Sequence, residues 1–284
     1  MRRICVLGNS HVAALKMGLD LWQEEHPVSE GSIDIFGFRR RNSGRLQVHQ
    51  GCVQPDRGHP GAGFDFHTGP AVLRLDAYDQ VYVTVGTRPD SFPHFNPRFV
   101  LNFVHPEHAI APRSPAVVSR IVEHTVFEQW FSPLLQEMIR DSSRPVIHFL
   151  GCPFWSTRDP RARALRARLE TDEEAREALD RLHQQVDTAV KNLETDRLRL
   201  PAPPSNTLDR YRAFTEHAFS AESKRMTADF EKGHGPRDFR HMNADYGREL
   251  VRSVFRGADS MTSSASSRAR GVGEAPRNRL GVDG

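Results

Sequence analysis

The sequence predicts an α/β domain in which helices cover both faces of a mainly parallel β-sheet. Apolar segments of strand length recur along the chain and alternate with stretches of helical periodicity. The length fits this class, since 284 residues are enough for one large α/β domain. The predicted strands are residues 2–8, 32–38, 78–86, 145–151 and 198–201.

The first element is a buried strand over residues 2–8, which ends in the turn Asn9-Ser10. Over residues 11–25 apolar side chains recur at helical spacing, and residues 32–38 form the second strand. The chain therefore opens with a strand–turn–helix–strand unit whose turn lies at the carboxyl edge of the sheet. Parallel α/β sheets place their active sites at this edge, so the turn is a candidate site.

The middle of the chain alternates irregular loops with regular elements. Residues 39–70 are rich in Gly, Pro, Arg and His and lack periodicity, which predicts a long irregular loop with room for one short strand. The third strand, 78–86, leads into a loop that reaches about Pro115. A helical pattern over 116–141 then precedes the fourth strand.

A charged helix, the short fifth strand and a final helix complete the predicted domain, residues 1–256. The stretch 160–196 has a narrow row of apolar side chains, which is typical of a solvent-exposed helix that packs through one face. The alternative is that these apolar side chains form a dimer contact. Residues 207–232 are predicted to be helical in pieces, and a last helix covers 243–255. Residues 257–284 have few apolar side chains, which predicts a disordered tail.

The composition of the chain argues against two classes of binding partner, nucleic acids and membranes. The net charge of +3 is small and the arginines are dispersed among acidic residues, which speaks against a nucleic-acid-binding protein. No run of about 18 apolar residues occurs, so a membrane partner is not expected. The apolar run at the N-terminus is too short for a signal peptide. Cys5, Cys52 and Cys152 fit no disulfide or zinc pattern. We therefore expect a cytoplasmic protein in which Cys5 and Cys152 are buried free thiols.

Ser10 follows the first strand directly and precedes the first helix. This position aims its hydroxyl at the carboxyl edge and puts the unpaired N–H groups of a helix start beside it. A serine hydroxyl attacks well only when a base removes its proton, so a histidine–carboxylate pair is needed elsewhere. The alternative is that Ser10 only caps the helix. A dinucleotide site is disfavoured, because the turn lacks the second and third glycines of that fingerprint.

Near the end of the chain, Asp238 stands three residues before His241. In one short turn the carboxylate would hold the imidazole in a single tautomer, leaving the other ring nitrogen to accept the serine proton. The alternative is a surface turn in which Asn243 caps the final helix. The combination of Ser10 at a strand exit with this pair just before the last helix favours a serine hydrolase.

These two segments resemble the SGNH/GDSL hydrolase family. Gly8-Asn9-Ser10-His11 is similar to its first block in the Gly-Asn-Ser variant, and Asp238-Phe239-Arg240-His241 to its last block. Residues 242–247 resemble the segment after this histidine in some bacterial branches. The resemblance implies a flavodoxin-like, three-layer α/β/α sandwich with about five parallel strands. It further implies Ser10 as nucleophile and oxyanion donor, His241 as base and Asp238 as its orienting partner.

The two middle blocks of the family are altered in this chain. Its usual glycine donor after the second strand corresponds best to Gly44, with Gly37 as the alternative. Its Gly-x-Asn-Asp stretch corresponds to residues 85–91, which contain no Asn. We predict that Asn96 loops back as the third oxyanion donor. Thr87, Arg88 or Asn42 are the alternatives.

The predicted substrate-binding residues are His11, Arg41 and Thr87. His11 follows the nucleophile and either borders the pocket or faces solvent; Arg41, in a run of three arginines, could hold an anionic group. No cofactor or metal is expected, since His94, His105 and His108 lack metal-site spacing.

The resulting functional prediction is an esterase acting on O-acyl esters through an acyl-enzyme. O-acetylated carbohydrates are the preferred substrates, on the basis of the family resemblance. The alternatives are a catalytically degenerate carbohydrate-binding or scaffolding protein, an O-acyltransferase with the same three residues, and a nucleotide-binding protein.

Overall fold

The computed structural model describes most of the predicted domain. The described residues are 2–26, 31–38, 45–55, 58, 63–85, 96–98, 113–129, 131–225, 232–235, 238 and 241–254. The segment predicted to be a disordered tail lies outside them.

The described residues form nine strands and six α-helices. The strands are β1 (Arg2–Gly8), β2 (Gly31–Gly37), β3 (Leu46–His49), β4 (Cys52–Pro55), β5 (Phe66–His67), β6 (Leu73–Arg74), β7 (Gln80–Thr84), β8 (Val146–Phe149) and β9 (Leu198–Arg199). The helices are α1 (Val12–Glu25), α2 (Pro115–Phe127), α3 (Ser132–Asp141), α4 (Pro160–Thr171), α5 (Glu173–Leu193) and α6 (244–254).

The main sheet has six strands in the order β5–β2–β1–β7–β8–β9. β2, β1, β7, β8 and β9 pair in parallel, and these five strands follow one another in the flavodoxin-like order 2-1-3-4-5. The predicted three-layer α/β/α fold and its five parallel strands are therefore confirmed. The strand count differs by one, because the two-residue β5 pairs antiparallel with β2 at the edge.

Residues 39–70 contain more regular structure than predicted. β3 and β4 form a hairpin joined by Gln50 and Gly51, whose φ angles are 50° and 72°. Two residues with positive φ are typical of a type I′ turn. β6 extends this hairpin into a second, antiparallel sheet. The prediction of a loop with room for one short strand was wrong because four-residue strands show little period and the turn lacks the usual Asn-Gly pair.

Each of the two long helical patterns is divided in the structure. The stretch 116–141 forms α2 and α3, and 160–196 forms α4 and α5. The second break is at Asp172, whose carboxylate accepts a hydrogen bond from the Ala175 N–H (2.9 Å) and caps α5. Each of the two helices buries apolar side chains at helical spacing. The apolar pattern therefore continues across the break, and the sequence does not show where the first helix ends.

The prediction of helical pieces over 207–232 was wrong for its described part. Beyond Thr207, residues up to 225 form only one short 3₁₀ helix, His217–Phe219. Asp209 shows the cause, because its side chain accepts hydrogen bonds from the N–H groups of Ala213 (3.0 Å) and Phe214 (3.2 Å). Such local bonds compete with helical ones.

Two hydrophobic clusters occupy the two faces of the sheet. In β1, Cys5 and Leu7 belong to one cluster and Ile4 and Val6 to the other, as expected for a strand buried on both faces. The first cluster includes side chains of α2, α3, α4 and α5, and the second those of α1 and α6. The first and last helices of the described chain therefore pack on the same side of the sheet.

α1 and α6 touch backbone to backbone through two glycines. A Cβ atom built at Gly18 would lie 2.1 Å from the Arg248 nitrogen, and one at Gly247 would lie 1.8 Å from the Ala14 carbonyl oxygen. Farther along both helices, the Arg252 guanidinium lies 3.8 Å from the Glu25 carboxylate. Contacts nearer the C-terminus of α1 are made with residues nearer the C-terminus of α6. The two helices therefore run in the same direction, and their N-terminal ends are neighbours.

All three cysteines are among the described residues and form no disulfide, and Cys5 and Cys152 are buried as predicted. Burial and the nearby Asp34 raise the pKa of the Cys5 thiol well above its ordinary value. No helix in the described part of the chain is long and apolar enough to cross a membrane.

Candidate active site

Ser10 lies at the point where the strand order reverses. β1 ends at Gly8, between β2 and β7, and the Asn9 N–H donates to the Thr84 carbonyl oxygen (3.3 Å). A Cβ at Gly8 would lie 1.9 Å from that same oxygen, so glycine is required for this close approach. Flavodoxin-like sheets bind ligands at this reversal point. Ser10 is half-buried there.

The structure brings the three residues of the two sequence motifs together. The Ser10 Oγ lies 2.8 Å from the His241 Nε2, and the His241 Nδ1 lies 2.7 Å from the Asp238 Oδ2. The other Asp238 oxygen accepts the His241 backbone N–H at 3.1 Å. An ionised carboxylate only accepts, so His241 carries its proton on Nδ1, and Nε2 is free to accept the serine proton.

The alternative that Ser10 serves only as a helix cap does not fit these contacts. The capping position of α1 is His11, which makes no side-chain capping bond. The hydrogen bond of the Ser10 hydroxyl goes to His241 instead. Among the described residues, the Ser10 backbone N–H has no acceptor. This N–H is therefore available to a developing oxyanion.

Asn243 fixes His241 at the start of α6. Its side-chain oxygen accepts the Tyr246 N–H (3.2 Å), which is the capping bond proposed from the sequence. Its amide nitrogen donates to the carbonyl oxygens of Ala218 (2.7 Å) and Ala221 (3.0 Å). The neighbouring Met242 is buried among side chains of α1. His241 is thus held between the α1–α6 contact and the segment 217–221.

Two further imidazoles stack on His241. The His11 ring centroid lies 4.9 Å away at an interplanar angle of 18°, and the His234 centroid 3.8 Å away at 10°. His11 is 7% exposed, so of the two predictions for it, bordering a pocket describes its position and facing solvent does not. His234 also lies 2.9 Å, through Nδ1, from the Asp238 Oδ2.

Two clefts flank this group of residues and differ in character. A cleft of about 20 Å³ next to His11 is lined by side chains of α1 and α6 and by the ends of β7 and β8, among them Leu15, Leu150, Tyr246 and Leu250. A cleft of about 90 Å³ contains Asp238 and His234 and is otherwise lined by Arg158, His217, Ser220, Ala221, Glu222, Ser223 and Gly235. The first is mainly apolar and the second mainly polar.

Asn96, the predicted third oxyanion donor, is buried and also lines the apolar cleft. Its amide nitrogen lies 3.2 Å from the Leu150 carbonyl oxygen and 2.5 Å from that of Cys152, and its side-chain oxygen accepts the Arg98 N–H (2.9 Å). The two amide hydrogens are therefore directed at backbone oxygens. An oxyanion role for Asn96 requires that one of these bonds be exchanged.

The remaining predicted site residues, Gly44, Arg41 and Thr87, lie outside the described residues, as do Arg88 and Asn42, so their roles stay predictions. Gly37, the alternative to Gly44, ends β2 beside Gly8. The histidines considered as metal ligands, His94, His105 and His108, also lie outside the described part.

His234, Asp238 and His241 offer three potential ligand atoms within 4.8 Å of one another. However, the two imidazole rings are parallel and their centroids are 3.8 Å apart. A metal ion about 2.1 Å from both Nδ1 atoms would lie far outside both ring planes, where neither lone pair points. This ring geometry does not suit a metal centre.

Sequence reasoning missed His234. It precedes Asp238 by four residues, in the segment Gly233-His234-Gly235-Pro236, whose glycines and proline are typical of a loop. The spacing His-x₃-Asp-x₂-His is the only local signal, and it is weak in a chain with 14 histidines. The backbone bond from the His234 N–H to the Ser223 carbonyl oxygen (2.9 Å) brings it to the site and depends on a distant segment.

No family model matches the chain, and no curated protein matches it in sequence. Among solved structures, the periplasmic domain of a lipopolysaccharide acetyltransferase from Salmonella ser. Paratyphi A is similar at 12% identity and a TM-score of 0.38, with 90% of this chain and 83% of that chain covered. A similarity this distant does not bear on activity. The fold assignment rests instead on the strand order.

Proposed function

We propose that the protein is a serine-dependent ester hydrolase of the SGNH type that works through an acyl-enzyme. The observation that supports this is the hydrogen-bonded series from the Ser10 hydroxyl through His241 to Asp238, at the reversal point of the sheet. A hydroxyl, an imidazole and a carboxylate in this order make serine nucleophilic. In this proposal Ser10 is the nucleophile, His241 the general base and Asp238 its orienting partner.

In the first half-reaction the Ser10 Oγ attacks the ester carbonyl carbon while the His241 Nε2 takes the hydroxyl proton. Asp238 stabilises the imidazolium that results. The Ser10 N–H, together with Gly44 and Asn96 as further proposed donors, receives the charge on the carbonyl oxygen. His241 then gives its proton to the departing alcohol oxygen as the C–O bond breaks, which leaves the acyl group on Ser10.

In the second half-reaction a water molecule replaces the alcohol. His241 removes a proton from the water as its oxygen attacks the acyl carbon, and the same N–H groups hold the charge. The bond to Ser10 breaks, the serine oxygen recovers its proton from His241, and the carboxylic acid leaves. If an acceptor alcohol takes the place of water, the same steps transfer the acyl group instead.

The two clefts support an assignment of the two parts of the ester. The small apolar cleft suits at most a short acyl group such as acetyl, and the polar cleft suits a hydroxyl-rich alcohol, because Arg158 can donate hydrogen bonds there and Glu222 can accept them. Among the described residues, neither of these two side chains forms an ion pair. Esters of carbohydrates, such as O-acetylated sugars, are therefore the proposed substrates.

The test is covalent labelling with a fluorophosphonate, combined with hydrolysis of p-nitrophenyl acetate. We expect the probe to label Ser10, to fail with Ser10→Ala, and to react at least about 10³-fold more slowly with His241→Ala. Peptide mapping of the labelled protein identifies the modified serine.

The matched controls are Ser205→Ala and His124→Ala, which remove an exposed serine and an exposed histidine outside the site. Both are expected to label like the unmodified protein. A folded protein that neither labels nor hydrolyses the ester would overturn the proposal in favour of a binding or scaffolding protein. Appearance of an acylated sugar when free glucose is added would identify acyl transfer.

A further inference from the structure

The Asp238 carboxylate lies close to two histidines through the same oxygen atom. Its Oδ2 lies 2.7 Å from the His241 Nδ1 and 2.9 Å from the His234 Nδ1. The His241 contact is a hydrogen bond and the His234 contact is not, because two parallel rings 3.8 Å apart cannot both direct an in-plane N–H at one oxygen. Asp238 therefore orients His241, and His234 packs against both residues.

The His234 Nε2 is buried and has no hydrogen-bond partner among the described residues. The ring therefore meets the site through its face, which stacks on His241, and through its Nδ1 edge, which lies beside Asp238.

The stacking of the two rings matters most when His241 becomes charged. During the proposed reaction His241 is an imidazolium, and the π face of an aromatic ring 3.8 Å away stabilises a cation. The same contact also limits tilting of the His241 ring, which must keep its Nε2 aimed at Ser10.

We propose that His234 is a positioning residue for this site: its ring holds the His241 ring in place by stacking. This inference rests on the proposed esterase activity. The titratable and charged groups around His234 are Asp238 and His241, which contact it, Arg158, His217 and Glu222, which line the same cleft, and His11, which stacks on His241.

The experiment compares His234→Ala, His234→Asn and His234→Phe in p-nitrophenyl acetate hydrolysis. Phe retains an aromatic ring against His241, Asn retains a polar side chain without a ring, and Ala retains neither. We expect Ala to lower kcat by about 10- to 100-fold with little change in KM, since small misplacements of catalytic groups have effects of this size. Phe should restore part of the loss, and Asn should not.

Rescue by Phe separates this role from a merely structural one, because a structural role would lower stability without lowering kcat of the folded protein. His124→Asn, which removes a histidine outside the site, is the control and should leave kcat unaltered.

The inference is overturned if kcat of His234→Ala is unchanged, if the loss appears in KM alone, or if His234→Phe is as slow as His234→Ala. Thermal unfolding checks that each variant is folded; if Ala is not, the Asn and Phe variants decide. Lack of any labelling or turnover in the unmodified protein is a different result. It removes the proposed function, and this inference falls with it.

Discussion

Asp238 determines which nitrogen of His241 faces Ser10, so its replacement by Asn should be more damaging than its small change in shape suggests. An amide can donate to Nδ1, which would favour the tautomer with the proton on Nε2, where no base is available. We expect Asp238→Asn to lower kcat for p-nitrophenyl acetate by about 10³- to 10⁴-fold. Steady-state kinetics and the rate of fluorophosphonate labelling measure the loss.

The matched control is Asp245→Asn, on the exposed side of α6. Asp245 pairs there with Arg248 at 3.1 Å and is 54% exposed, and such surface pairs contribute little to stability. Its kcat should stay within about two-fold of the unmodified protein. Equal losses in the two variants would mean that negative charge near α6 matters in general and that Asp238 has no special orienting role.

Replacing Arg158 tests whether the polar cleft binds the alcohol part of the ester. If it donates hydrogen bonds to the alcohol part of the ester, Arg158→Gln should lower kcat/KM for an acetylated sugar by about 10-fold or more, the size expected for a charged hydrogen bond. Hydrolysis of p-nitrophenyl acetate, which has no sugar, should change little. Arg163→Gln, on the exposed surface of α4, is the control. Equal losses with both esters would contradict the assignment.

At the residue scale, the sequence predicted the site residues that belong to short sequence motifs. Asp238 and His241 lie within one turn, and Ser10 follows a strand by two residues, so short motifs carry enough information. His234 and Arg158 belong to the same site but reach it through contacts with distant segments. A single sequence holds no signal for contacts of that kind.

At the scale of elements, the contact between α1 and α6 sets the distance from Ser10 to His241. A methyl group at Gly247 would overlap the Ala14 carbonyl and force the helices apart. We expect Gly247→Ala to lower the free energy of unfolding by about 1–3 kcal/mol, as overpacking does. Because His241 moves with α6, kcat should also fall, by about 10-fold or more. Urea unfolding and steady-state kinetics measure the two effects.

Gly63→Ala is the matched control, because a Cβ there would meet no atom within 4 Å. It should change stability by less than about 1 kcal/mol and leave kcat unaltered. If Gly247→Ala loses stability but keeps full activity, the helix contact supports the fold without positioning His241, and this account of the site geometry is wrong.

Prediction of elements succeeded where apolar patterns were long and failed where local polar bonds decided the structure. The five parallel strands and the first and last helices follow from buried runs and periodicity. The β3–β4 hairpin and the cap at Asp172 depend on single residues, and they were missed. The meeting of α1 with α6 through two glycines also could not be predicted, since glycine inside a helix usually only weakens it.

At the scale of the whole molecule, the strand order explains how residues 231 positions apart form one hydrogen bond. β1 lies in the interior of the sheet, and the chain adds further strands on the β7 side before α6 returns to the face occupied by α1. The active-site geometry therefore depends on the complete fold. We expect loss of activity to accompany global unfolding at every pH.

His148, in β8, makes that global stability sensitive to acid. Its ring stacks on Tyr82 with centroids 4.3 Å apart, and burial, aided by Arg199, lowers its pKa from 6.5 to about 4. Below pH 6.5 the unfolded chain takes up a proton here that the folded chain refuses, so stability falls as the pH drops toward about 4. Between about pH 7.5 and about pH 5 the loss is on the order of 2 kcal/mol.

Replacing His148 by Phe, which keeps an aromatic ring against Tyr82, should abolish that part of the loss. The comparison is urea unfolding at the two pH values for the unmodified protein, His148→Phe and the control His124→Gln, in which the replaced side chain is 42% exposed on α2. We expect the control to behave like the unmodified protein, because this side chain lies outside the core. An acid-induced loss of equal size in His148→Phe would mean that other groups cause it, and that a buried neutral imidazole in β8 does not limit the pH range of the fold.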